Sequence, residues 1–178
     1  MGGLDAPVVR PARPDDAAAI ATAHVRSWQS AYRGIVPVAV LDSLSIDRRA
    51  SWWRGELTEM APPTACWVVE RSGRVVGFAS IGAARDDSAS PGVGELFAIY
   101  LEPEAWSQGL GRALMDQAVA GLRGGGFREA ILWVLADNAR GRRFYELAGW
   151  RPDGATMDWE TSGATLPEVR YRIELTAT

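Results

Sequence analysis

The spacing of apolar residues changes several times along the chain, and each change marks an element. "RPDDAAAIATAHVRSWQSAY" carries apolar residues at helical spacing and predicts a helix from about Pro14, with Asp15 and Asp16 favouring its start through the helix dipole. A second helical stretch is expected over "VPVAVLDSL" and a third over "DRRASWWRGEL", while Val8–Pro11 ahead of them reads as a short strand. "ACWVVER" and "RVVGFASIGAA" are apolar strands joined at Ser72-Gly73, which predicts a hairpin. "ARDDSASPG" is a polar loop, and "GELFAIYLEP" is a third strong strand. Beyond it Leu110, Leu114, Ala118 and Leu122 recur every fourth residue with Ala113 beside them, while Arg112, Asp116 and Arg123 fall elsewhere. That is one apolar stripe on an amphipathic helix, ended by Gly124, Gly125 and Gly126. "EAILWVL" then reads as a buried strand, "NARGRRFYELAG" as a helix closed by Gly149, and "VRYRIEL" alternates as a half-buried strand does. The order β-α-α-β-β-β-α-β-α-β-β describes an α/β fold with a mixed sheet. No repeat and no long linker interrupts it, so residues 1–178 are expected to form a single domain.

Composition removes several kinds of function. With 19 basic and 22 acidic residues the net charge is −3, which argues against a general nucleic-acid binder. Cys66 is the single cysteine, so there is no intrachain disulfide and no cysteine cluster for zinc. His24 is the only histidine, which disfavours a His-rich metal site and a Ser-His-Asp triad; no metal is expected. "MGGLDAPVVRPARPDD" has no long apolar region of the signal-peptide kind, and no run approaches the roughly 18 apolar residues of a membrane span. The expectation is a cytoplasmic protein without a nucleic-acid or membrane partner; a homodimer is left open.

One stretch, "EAWSQGLGRALMDQAVAGL", raises a specific chemistry. Gly109 and Gly111 sit where a polar loop turns into the apolar-striped helix. A helix start leaves about four N–H groups without intrahelical partners, and the dipole adds partial positive charge there, so the junction is an anion site. Glycine lets a bulky phosphate approach the main chain because no Cβ intervenes. The alternative is a tight turn before an ordinary helix. The nucleotide P-loop needs a lysine that this stretch lacks, and the dinucleotide fingerprint needs a third glycine where Leu114 stands. The ligand is therefore expected to be neither a magnesium-bound triphosphate nor a nicotinamide cofactor.

The strand "LFAIYLEP", the loop "WSQGLG", then Asn138 and Tyr145 seven residues later in "NARGRRFYELAGW" together resemble the GNAT superfamily of acetyl-CoA-dependent N-acetyltransferases. The resemblance in order and spacing runs from Glu95 to Trp150, and the flanking elements agree in order. Trp106 departs from the family, which usually has Arg or Gln there. The resemblance implies that acetyl-CoA is the co-substrate and that its pyrophosphate is cradled by main-chain N–H groups of Ser107, Gln108, Gly109, Leu110, Gly111 and Arg112, with Arg112 adding charge. It implies that main-chain groups of Ile99, Tyr100 and Leu101 pair with the pantetheine arm and that the Leu101 N–H faces the thioester oxygen. Asn138 would hydrogen-bond the same arm, or cap the helix that follows it, or both.

Acetyl transfer to a small-molecule or peptide amine makes three demands. The amine must lose its proton although its pKa is near 10, the carbonyl oxygen needs a donor as it gains charge, and the thiolate leaves more easily if protonated. Glu95, opening the strand before the glycine loop, is the candidate base by resemblance to the histone-acetylating branch; otherwise it is a solvent-facing strand residue. Tyr145 suits the acid, since a phenol with pKa about 10 is protonated at neutral pH and can donate to a thiolate whose conjugate acid is near 8.5. His24, Trp28 and Tyr32 are four apart on one helix face and either line the acceptor cleft or form a core stripe. Asp158, Glu160 and Glu168 in "GATMDWETSGATLPE" either attract a cationic amine or belong to a solvated loop. The activity expected is direct N-acetylation of a primary amine in a ternary complex, with a non-catalytic acyl-CoA-binding or sensor domain of the same fold as the alternative.

Overall fold

The computed structural model describes residues 7–85 and 92–175. Most of the polar loop "ARDDSASPG" and the first residues of the chain fall outside them. β1 (Val8–Pro11) passes through a 3-10 turn at Pro14–Asp16 into α1 (Ala17–Ala31). Arg10 on β1 ties the two together, reaching Asp16 at 2.7 and 2.8 Å and Glu70 at 2.7 Å. α2 (Val38–Asp42) follows Pro37, and α3 (Ile46–Glu59) is capped by Ser45, whose hydroxyl accepts from the Arg48 N–H. All three helical stretches form, so three helices precede β2 where the condensed order carries two. β2 (Ala65–Arg71) and β3 (Arg74–Ala83) join at Ser72 and Gly73, whose φ values of 50° and 72° are those of a tight hairpin turn.

β4 (Val93–Leu101), α4 (Leu110–Gly124), β5 (Glu129–Leu135) and α5 (Ala139–Leu147) follow as the apolar patterns predict. β6 (Arg151–Thr161) and β7 (Ala164–Glu174) complete a seven-stranded mixed sheet in the order β1-β2-β3-β4-β5-β7-β6. Among the described strands only β4 and β5 pair in parallel. The segment "GATMDWETSGATLPE" is not a solvated loop. It is the greater part of a long β6–β7 hairpin, and β7 pairs with β5 from Glu168↔Leu135 to Glu174↔Glu129. β6 is the sheet edge and mostly exposed, which is why its sequence lacks apolar alternation.

Both faces of the central strands are covered. Val68 and Phe78 lie with Ile20, Ala21 and Trp53 of α1 and α3, while their neighbours Val69 and Ala79 lie with Leu114, Ala118 and Leu122 of α4. Adjacent residues falling in opposite clusters is the two-residue period of a strand buried on both sides.

The sheet opens in the middle. β4 and β5 pair only at Val93↔Glu129, Gly94↔Ala130 and Glu95↔Ile131. Beyond Glu95 they part, while β4 runs on against β3 to Leu101↔Gly77 and β5 against β7 to Leu135↔Glu168. Where they part, adjacent Ser80 and Ile81 face Ala98 and Leu96, leaving Phe97 as a bulge on β4. The result is a V between two strands that each keep their outer partner.

Candidate active site

Two cavities border the V. The smaller, about 420 Å³, is walled by Ile99 and Leu101 of β4, by Ser107, Gly109, Gly111 and Arg112 of the glycine loop, and by Asn138, Arg140, Arg143 and Tyr145 at and in α5. The larger, about 900 Å³, is walled by Trp28 of α1, Arg85, Glu95 and Phe97, Trp133 of β5, and Trp159, Glu168 and Arg170 of the final hairpin. Tyr32 and Tyr100 line both, so the two spaces meet at this pair of phenols.

The loop is shaped for its main chain to face a ligand. Ser107 and Gly109 take φ values of 60° and 81°, and α4 begins at Leu110. Left-handed residues in such a loop turn successive N–H groups to one side, and the first turn of α4 leaves its own N–H groups open. Gly109 is required by its φ. At Gly111 a Cβ would make only ordinary contacts, 3.4 Å from Phe144 and 3.5 Å from Leu101, so the fold tolerates one and its absence leaves the cavity wall open to a ligand. The Leu110 side chain is buried in the core, and the Gln108 amide turns back to the Glu104 carbonyl at 2.7 Å.

Charge around the smaller cavity is guanidinium. Arg112 pairs with Asp116 at 2.8 Å, Arg140 lies over the Trp106 ring, and Arg143 stands on the same wall. Arg140 and Arg143 were not among the expected site residues. Their signal in the sequence was three cations in the first turns of a helix opened by Asn138, of which Arg142 turns instead to the Tyr171 hydroxyl and the Ala136 carbonyl.

The strand edge facing the V is selective. The Glu102 N–H donates to the Val76 carbonyl of β3 at 2.8 Å, so by the alternation of an antiparallel ladder Leu101 and Ile99 turn their N–H groups away from β3, into the V. Tyr100 turns its main chain toward β3. Its expected main-chain role is corrected: what Tyr100 presents to the cavities is its side chain.

Asn138 caps α5, its amide oxygen accepting from the Gly141 N–H at 2.9 Å, which leaves the amide N–H₂ as a donor at the cavity wall. Tyr145 packs beside Phe144 and Tyr171, with ring centres 5.5 and 6.3 Å away. Burial, reinforced by Tyr100, pushes its phenol pKa up, so the hydroxyl keeps its proton.

The acceptor side divides the expected residues. Trp28 and Tyr32 line the larger cavity. His24, on the same helix face, does not. It is 9% exposed, stacks on Tyr100 with centroids 4.9 Å apart, and burial followed by the charge of Arg49 lowers its pKa to about 3. Its place is beneath the wall, in the core. Glu95 is also buried, and both its oxygens are taken: one accepts from the Arg85 N–H and the other from the Arg85 guanidinium, each at 2.8 Å. The expected candidate base is thus bonded through both oxygens to Arg85, on the wall of the larger cavity. Of the three late acidic residues only Glu168 lines the cavity; Asp158 and Glu160 are exposed on the edge strand.

Comparison with known proteins gives the family and the fold. The acetyltransferase (GNAT) family model matches residues 22–150. The uncharacterized N-acetyltransferase YuaI of Bacillus subtilis (strain 168) is 34% identical over 163 residues, covering 90% of this chain and 89% of YuaI. Among solved structures, YncA from Salmonella typhimurium with acetyl-CoA superposes with TM-score 0.71 at 21% identity, covering 98% of this chain and 96% of that one. The PaiA N-acetyltransferase from Thermoplasma acidophilum, in complex with coenzyme A, superposes with TM-score 0.71 at 18% identity, covering 95% and 99%.

Proposed function

The chain belongs to the acetyltransferase (GNAT) family, and from that premise we propose that it transfers acetyl from acetyl-CoA to a primary amine by direct attack, with both substrates bound at once. The observation that carries this is the parting of β4 and β5 between two cavities that share Tyr32 and Tyr100. One cavity suits a phosphate-bearing arm, the other suits an acceptor, and they meet where a thioester would lie.

Each part of the smaller cavity has a task. The glycine-loop N–H groups hold the pyrophosphate, and Arg112, Arg140 and Arg143 add charge around it. Ile99 and Leu101 offer main-chain groups to the pantetheine arm as a strand edge does, with the Asn138 amide beside them. The Leu101 N–H donates to the thioester oxygen, stabilising the charge that grows there. Tyr145 donates its hydroxyl proton to the departing sulfur. Glu95 holds Arg85 on the chamber wall.

The test is free-thiol release from acetyl-CoA across a panel of primary amines. Amine-dependent thiol, with N-acetylated product by mass spectrometry, is the expected result. Tight coenzyme A binding with no thiol from any amine would overturn the reading and leave an acyl-CoA-binding domain.

A further inference from the structure

The larger cavity has a wall composition that selects among amines. Trp28, Tyr32, Phe97, Tyr100, Trp133 and Trp159 converge on it from α1, β4, β5 and β6. Its charged groups divide into pairs and a remainder. The Arg85 guanidinium is bonded to Glu95 at 2.8 Å and lies 4.2 Å over the Phe97 ring. Arg170 is bonded to Asp153 at 2.8 Å and lies 5.5 Å over the Trp133 ring. Glu168, half-buried on β7 opposite Leu135 and Met157, has no hydrogen-bond or ion-pair partner among the described residues. The groups facing it are Tyr32 just after α1, Glu95 and Tyr100 of β4, Arg85 after β3 and Arg170 of β7.

We propose that Glu168 receives the ammonium of the acceptor and takes its proton, and that the acceptor is a cationic amine carried on a flat apolar body without a carboxylate of its own. The inference rests on the acetyl-transfer reading of the same site. Aromatic faces attract a cation and cover a flat body, and a carboxylate among them supplies the charge-assisted bond. An acceptor carboxylate would find both guanidiniums already engaged and would meet Glu168 with like charge. Burial and the neighbouring charge of Glu95 raise the Glu168 pKa, so this carboxylate holds a proton better than an exposed one.

The step balances as follows. Glu168 takes one proton from the ammonium and becomes a carboxylic acid. The freed nitrogen lone pair forms the N–C bond at the acetyl carbonyl, the C–S bond breaks, and the sulfur leaves with the electron pair and takes the Tyr145 proton. Tyr145 is reprotonated by the second N–H proton of the adduct. Glu168 returns its proton to solvent, so one proton is released per acetyl transferred.

Phenethylamine is the probe, titrated into coenzyme-A-saturated protein so that no turnover occurs, with tryptophan fluorescence as the readout. Glu168→Gln is expected to weaken its binding roughly ten- to hundredfold, with coenzyme A affinity by calorimetry and the thermal midpoint unchanged. Glu168→Asp is expected to fall between. In turnover, kcat/KM of Glu168→Gln is expected to drop most at low pH and converge on wild type as the free amine becomes neutral. Unchanged phenethylamine binding in Glu168→Gln would overturn the assignment, and a pH-independent deficit would overturn the proton-taking role. Phenylalanine binding as well as phenethylamine would overturn the acceptor class. Glu168-dependent binding without thiol release from any amine would support the acceptor site and overturn acetyl transfer instead.

Discussion

Arg140 lies over the indole of Trp106, its guanidinium carbon 3.8 Å from the ring centre, and that indole donates to the Leu101 carbonyl at 3.0 Å. The stack joins α5 to the end of β4 across the glycine loop. Trp106 occupies the position where the family usually carries Arg or Gln, and the stack brings a guanidinium back to the same place from another element. Arg140→Ala is therefore expected to weaken coenzyme A binding about three- to tenfold, the scale of an exposed cation–π contact plus one phosphate contact. Trp106→Ala should cost a similar amount, and the double variant less than the sum, because one stack is lost in each case. Calorimetry on the three variants checks this; strict additivity would show that the two side chains act separately.

Tyr145→Phe is expected to keep coenzyme A affinity and lower kcat about 10- to 1000-fold. Only a hydroxyl is removed, and the ring contacts with Phe144 and Tyr171 remain. Because burial raises the Tyr145 pKa, the wild-type rate should show no loss from its ionisation on approaching pH 10. The loss should shrink with acyl donors whose thiols are more acidic. A fully active Phe variant would end the leaving-group role.

Gly111 separates space for the fold from space for the ligand. Gly111→Ala adds a Cβ at 3.4 Å from Phe144, so the protein should fold normally and lose part of its coenzyme A affinity. Gly111→Glu should abolish binding by adding bulk and negative charge where phosphate is held. The readout is thermal upshift on adding coenzyme A, and an unchanged upshift in the Glu variant would refute the phosphate assignment.

Gly121 makes the opposite case. A Cβ there would stand 2.2 Å from the Trp67 ring and 3.0 Å from Ile81. Alanine in mid-helix gains about 1 kcal/mol of propensity over glycine, whereas overpacking costs about 1–3 kcal/mol. Gly121→Ala is expected to be destabilising on balance, read as a lower midpoint in urea.

His24 predicts an acid limb of stability. Its pKa is about 3 folded against about 6.5 unfolded, so between these values the unfolded chain binds more protons. Its effect is absent above pH 6.5 and destabilises the fold as pH falls, with a slope of up to about 1.4 kcal/mol per unit. In urea melts from pH 7 to 4, wild type should lose ground steadily against His24→Leu; a constant difference would mean that His24 titrates normally.

What the sequence made legible was contiguous. The glycine loop, its helix, Asn138 and Tyr145 occupy one run of chain; local rules of turn, cap and dipole placed the loop and the helices, and the resemblance to the GNAT superfamily singled out Asn138 and Tyr145. The acceptor cavity is assembled from α1, β4, β5 and the final hairpin, so its members share no spacing. Glu168 was visible as one of three late acidic residues, but its place on a strand was not, because β6 is an exposed edge and "SGATLPE" is rich in turn formers; pairing with β5, not local propensity, makes β7 a strand there. Glu95 was visible as a residue, but its engagement by Arg85 across the β3–β4 connection was not. His24 was placed on its correct helix face, yet periodicity cannot say how deep along that face the core ends.

The V between β4 and β5 gives the protein an unfinished seam. Two lengths of backbone face each other across it, and each could bond to a chain laid between them. If the acyl donor fills that place, the donor finishes the sheet and adds to folding free energy by mass action, about 2.7 kcal/mol at a hundred times its dissociation constant. Amide exchange along Ile99 and Leu101 would slow as the seam closes. Survival of the folded protein against proteolysis would then follow the abundance of its own donor, making persistence in the cell a gauge of acyl supply.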